Sequence, residues 1–132
     1  MAKLVNEGEH RIADILFGSQ AVDTTLYIGL YTAPTTEPSE TAVLADLTEH
    51  SGDGYARIAL SRGTWTVLNS VASYAEQTFD ASGGDWGNCY GYFIATSSDG
   101  SGKLMFIEQF SDGPYDVSDG DSIKITPNIT LS

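Results

Sequence analysis

The chain has 132 residues, 41% of them hydrophobic and 18% charged, and 18 Asp and Glu against 6 Lys and Arg give a formal net charge of −12. Such a length fits one domain that buries about two-thirds of its unfolded surface, and the composition is globular rather than disordered. The acidic field repels phosphate backbones, which removes the main source of nucleic-acid affinity; it favours solubility and docking to basic surfaces.

Residues 1–18 read as a short amphipathic helix. Leu4, Val5, Ile12, Ile15 and Leu16 fall near helical spacing, with Glu7, Glu9 and Arg11 on the other side. Gly8 weakens this helix, and Gly18-Ser19 supplies its stop. Its apolar side would cap one end of a β-structure or dock on another subunit. Glu7, Glu9 and Asp14 interrupt the apolar core that a secretory signal needs, and no run approaches the ~18 apolar residues of a membrane-spanning helix. No membrane partner is expected.

From Thr24 the period changes to two. In residues 26–31 (LYIGLY), Leu26, Ile28 and Leu30 share one face, and Tyr27, Gly29 and Tyr31 the other. The aliphatic face points to a core. The amphipathic Tyr-Gly-Tyr face calls for cover by a loop or a neighbouring subunit. Pro34 ends the strand, and residues 35–46 read as a long exposed loop. Ser51-Gly52-Asp53-Gly54 is a turn that launches a strand over residues 55–60. There Arg57 beside Tyr55 suggests a guanidinium held on an aromatic ring or a carboxylate, which is an anchor rather than a ligand site.

Further strands are predicted over residues 64–67, which include Trp65, and over residues 76–80. Residues 89–96 form the most apolar strand, with Cys89, Phe93 and Ala95 opposite Tyr90, Tyr92 and Ile94, as befits a central strand covered on both faces. The single cysteine, Cys89, excludes an intramolecular disulfide and reads as a buried structural thiol, compatible with a reducing cytoplasm. A hairpin at residues 97–102 leads to a return strand over residues 103–110, with Leu104, Phe106 and Phe110 alternating against Lys103, Met105 and Ile107. The last strands, residues 122–126 and 129–131, turn Ile123 and Ile125 inward and Lys124 outward. Seven or eight short strands with turns between them predict an all-β antiparallel β-sandwich or jelly roll, with a short N-terminal α-helix at residues 1–18 and the sandwich over residues 24–132 of a single domain.

Catalytic chemistry finds little to work with. His10 and His50 belong to no metal or nucleophile motif, and no cofactor or metal site is expected. Asp112, Asp116, Asp119 and Asp121 cluster without the spacing of a calcium loop. Glu76 and Glu108 make a glycosidase pair only by coincidence in so acidic a chain. Trp65, Trp86, Tyr90 and Tyr92 would serve either as a sugar-stacking platform or, as small sandwiches more often use them, as core and interface.

The segments together resemble a family of small tailed-bacteriophage virion proteins. The marks are Leu16-Phe17-Gly18 at the helix end, LYIGLYTAP with its Pro- and Thr-rich loop, Gly54-Tyr55-Ala56-Arg57 with Trp65 downstream, Trp86-Gly87 before Tyr90-Gly91-Tyr92-Phe93, and Gly120-Asp121 with the closing ITPNITLS. The resemblance implies a virion component of β-sandwich or jelly-roll fold, assembled in the host cytoplasm, and it brings no catalytic residues. Its first implication is a capsid decoration (cement) protein on the capsid surface. Such a protein binds the major capsid protein at capsomer junctions and forms a dimer or trimer with itself. The alternative is a tail-fibre or baseplate module that attaches to host glycans. The first candidates for protein contacts are Tyr27, Tyr31, Tyr55, Arg57 and Trp65.

Overall fold

The computed structural model of the protein describes residues 2–131; Met1 and Ser132, the two ends of the predicted domain, lie outside the described residues. Its organising element is a five-stranded antiparallel sheet. The strands are β1 (Lys3–Leu4), β2 (Thr25–Tyr31), β3 (Ile58–Ser61), β8 (Gly91–Ala95) and β9 (Leu104–Gln109), in the order β1-β9-β8-β2-β3. A second layer is assembled from smaller antiparallel pieces. They are the pair β6 (Gln77–Asp80) with β11 (Ser122–Ile125), the pair β7 (Gly87–Cys89) with β10 (Tyr115–Val117), and the set β4 (Thr66–Leu68), β5 (Val71–Ser73) and β12 (Asn128–Thr130). Between the layers, Ile28, Leu30, Ile94 and Phe106 of the main sheet meet Phe79, Trp86, Val117, Ile123, Ile125 and Ile129. The fold is the all-β sandwich that the alternation predicted, with one helix, α1 (Asn6–Phe17).

β8 is buried at every position, so its two faces need separate cover. The core between the layers covers one. On the other, Tyr31, Phe93, Ala95, Leu104 and Ile107 form a second apolar cluster with Val5. The segment over residues 32–50 lies across it and contributes Ala42, Leu44 and Leu47. Most of residues 35–46 are exposed, as expected of the loop, but Pro38 and Ala42 are buried and the segment is tied at several points. Asn6 N–H donates to the Glu40 carbonyl (2.8 Å), Lys3 Nζ to the Pro38 carbonyl (2.9 Å) and Gln109 Nε2 to the Thr35 carbonyl (3.0 Å). It is the cover that the Tyr-bearing face of β2 calls for.

Two face assignments reverse, each for a definite reason. The expected strand over residues 89–96 is two strands, because the chain passes from the second layer to the main sheet at Tyr90. Its N–H donates to the Tyr31 carbonyl and its carbonyl accepts from Phe110 N–H, both at 2.9 Å. The change of layer puts Cys89 in the same core as Tyr92 and Ile94, while Phe93 and Ala95 face the second cluster. In β9 the register slips, with Ala95 opposite Leu104 but Ile94 opposite Phe106. Met105 is the extra residue of this β-bulge, so Leu104 and Ile107 share one face while Met105 and Phe106 join the main core.

The bulge also seats the helix. Val5 N–H donates to the Met105 carbonyl (3.1 Å), and Leu104 N–H donates to Glu7 Oε1 (2.8 Å). Leu4 and Val5, expected inside the helix, lie before it: Leu4 pairs with Phe106 in the sheet and Val5 is its N-cap. Gly8 is buried where α1 crosses β9, and a Cβ there would stand 2.5 Å from the Met105 carbonyl oxygen. Glycine therefore serves close approach, at some loss of helix propensity. Gly8→Ala should lower stability by about 1 kcal/mol net. The backbone clash costs about 1–3 kcal/mol and outweighs a propensity gain of about 1 kcal/mol. Thermal unfolding with a lowered midpoint would show it, and a raised midpoint would refute the packing argument.

Candidate interaction surface

The contact residues expected from sequence separate into interior anchors and surface groups. Arg57 is nearly enclosed, its side chain 4% exposed. The guanidinium sits 4.9 Å from the centre of the Phe93 ring and pairs with Glu49 (Nη2 to Oε1, 2.5 Å; Nε to Oε2, 3.0 Å). Its Nη1 donates to the carbonyls of Ser97 (2.9 Å) and Asp99 (2.6 Å). Both readings of its neighbourhood, ring and carboxylate, hold at once. Tyr55 serves the same junction: its hydroxyl donates to Glu49 Oε2 (2.6 Å) and accepts from Leu30 N–H (2.9 Å). Burial, then the Glu49 hydrogen bond, push the Tyr55 phenol well above its usual range. Tyr31 is fully buried beneath the 32–50 segment and Tyr27 is half-buried on β2. Tyr31, Tyr55 and Arg57 therefore join parts of this chain to one another; they do not form an outward face.

Beside this junction, the turn at residues 51–54 docks on the second layer. Asp53 takes positive φ (54°), and its carbonyl accepts from the buried Trp86 indole N–H at 2.9 Å. His50 Nε2 lies 2.8 Å from Asp53 Oδ2, and the ring stacks 6.0 Å from Trp86. With Trp86 and Tyr92 only 5% and 2% exposed, the four aromatics considered for sugar stacking form no open platform. Cys89 is buried, and burial pushes its thiol up to about 11. Among the described residues no cluster of His, Cys, Asp and Glu is placed to hold a metal ion.

Trp65 leads to the surface. It stacks edge-on against Tyr74 (5.1 Å between ring centres) and lines a groove of about 540 Å³ between α1 and the outer sheet β12-β5-β4. Ile12 and Ile15 of α1 form one wall, and Val67, Ile129 and Leu131 the other. The helix thus caps one end of the sandwich, as its pattern suggested, but leaves the gap between the layers partly open. Two charged residues also line the groove: Asp23, held by Arg11 in a two-pronged pair at 2.7 and 2.8 Å, and the exposed Arg62. An apolar lining with so few free polar groups suits the side chains of a protein partner better than a polar small molecule. Large apolar residues stand exposed along the groove and beside it: Val67 71%, Leu68 70%, Leu131 48%, and, at the helix end, Leu16 68% and Phe17 88%. Sequence reading missed this wall because it predicted a strand over residues 64–67 and none over residues 71–73 to pair with it. The Asn69-Ser70 pair between Leu68 and Val71 was the available sign of a tight hairpin.

Two outcomes test the interior assignments. Arg57→Ala should cost about 2–4 kcal/mol, because it strands a partly buried carboxylate and frees the covering segment; proteolysis within residues 32–50 would rise with it. A change under about 0.5 kcal/mol in denaturant unfolding would contradict the anchor. With its pKa near 11, the Cys89 thiol should be about one part in a thousand thiolate at pH 8, against about one in four for an ordinary cysteine. Ellman's reagent should therefore report it only after unfolding, and rapid labelling of the native protein would contradict that burial.

A search of curated proteins found no match. The family described as Podophage GP4 fiber I protein gp80 matches residues 3–131, which is nearly the whole chain. The chain belongs to that phage fibre protein family, and it is a virion structural protein.

Proposed function

We propose that the protein is a non-enzymatic structural component of a phage tail fibre, held to neighbouring virion subunits by apolar surface. The observation that carries this reading is the fibre-family match over residues 3–131. Three features of the molecule support it. Several polar side chains with chemistry to offer are engaged internally: His50 with Asp53, Glu49 with Arg57 and Tyr55, and the Cys89 thiol buried. The groove beside Trp65 is apolar and open at the surface, which suits the side chains of a docking partner. A net charge of −12 keeps abundant copies soluble until assembly brings apolar surfaces together.

Capsid cementing, the first implication of the sequence resemblance, would instead place many copies on the major capsid protein. Electron microscopy of virions labelled with gold-tagged antibody against this protein separates the two. We expect label confined to the tail fibres. Label spread over the capsid shell would overturn the fibre reading in favour of capsid decoration.

A further inference from the structure

We propose that the groove beside Trp65 is a ligand site for a single-chain amphiphile with an anionic head, of the fatty-acid type. Its lining grades from core to surface. Leu60, Met105, Phe106 and Ile129 are 0, 4, 6 and 4% exposed, whereas Val22, Val67 and Leu131 are 49, 71 and 48% exposed. The recess therefore runs from solvent into the core between the layers. Its volume of about 540 Å³ falls within the about 300–1,000 Å³ of ordinary ligand pockets. Water in it finds little of the lining to hydrogen-bond, so an apolar chain displaces that water favourably.

Charge at the groove specifies the head group. Of the two charged residues that line it, Asp23 is already occupied by Arg11. The Arg62 side chain enters no ion pair among the described residues, although the chain has 18 Asp and Glu to offer. Its backbone is fixed where β3 ends beside the start of β2, with Arg62 N–H donating to the Thr24 carbonyl at 2.9 Å. The planar guanidinium presents paired donors that match a carboxylate. A net charge of −12 would by itself favour a cationic head, so an anionic preference has to come from this local group. The occupant that fits is apolar along its length and anionic at one end. A flexible chain also adapts to an irregular gap left between packed elements, where a rigid ring system would need walls shaped to it.

Titration of the purified protein with octanoate, decanoate and dodecanoate, each below its micelle concentration, tests the proposal. Trp65 stands in the lining and Trp86 is buried outside it, so tryptophan emission reports occupancy. Binding should saturate at one ligand per chain and tighten about two- to fourfold with each added methylene. Decanoate should bind more tightly than decanol, and decyltrimethylammonium most weakly. Arg62→Ala, at an exposed position, should weaken decanoate about three- to tenfold and leave decanol unchanged. Ile15→Glu should abolish binding of all three acids while circular dichroism shows the fold retained. If octanoate binds as tightly as dodecanoate, the groove is a socket for a partner's side chain and the proposal is overturned. Absent or unsaturable binding overturns it too, as does binding indifferent to head group or to Arg62→Ala, or binding that a folded Ile15→Glu retains. None of these readouts depends on where the protein sits on the virion, so this result and the labelling result fail separately.

Discussion

The structure depends on keeping water from both faces of β8. A strand buried at all of its positions in a chain of this size cannot rely on one core. One face is closed by the second β-layer, which any sandwich supplies. The other is closed by residues 32–50, which carry only an isolated Ala33–Thr48 bridge and one 3-10 turn, with ties to Lys3, Asn6 and Gln109. The Arg57 guanidinium adds a further constraint at the end of that segment. In one planar group it joins the carboxylate at the end of that segment, two carbonyls of the 97–99 turn, and the Phe93 ring it lies over. Lysine has no such fork of donors, so the position demands arginine's geometry as well as its charge.

The rest of the architecture follows from how the chain leaves and re-enters the main sheet. At Tyr90 it passes between layers, and at Met105 it bulges. Both are departures from strict alternation, and both place something. The crossing puts Trp86 and Cys89 in the main core and leaves Phe93 for the arginine. The bulge offers the Met105 carbonyl to Val5 and brings the backbone close enough to α1 that only Gly8 fits. Because α1 is held at its N-terminal end, its later turns, with Ile12 and Ile15, span the open end of the sandwich without filling it. The groove is the geometric remainder of that arrangement.

Charge and apolar exposure are best read together. A strongly acidic chain gains solubility from self-repulsion, and it gives up easy association over most of its surface. Apolar groups left uncovered on such a molecule are then selective, because few approaches bring them into contact without opposing carboxylates. Phe17, Val67, Leu68 and Leu131 are exposed in that setting. For a virion structural protein of a phage fibre family, this combination is physically coherent.

The sequence by itself determined the local choices. Alternation marked the strands and the inward Ile123 and Ile125, glycine and aspartate marked the turns, and helical spacing marked α1. The same reasoning placed Arg57 on a ring or a carboxylate. Tertiary structure alone decided what each face meets. Periodicity is a property of neighbours in the chain, so it cannot register a change of layer at Tyr90 or a bulge at Met105, which depend on the strand opposite. Nor can it tell Tyr31, sealed under a distant loop, from Leu68, left in solvent. Burial is settled by which remote segment arrives to cover a residue, and among the described residues none covers Val67 and Leu68 of β4 or Phe17 at the helix end.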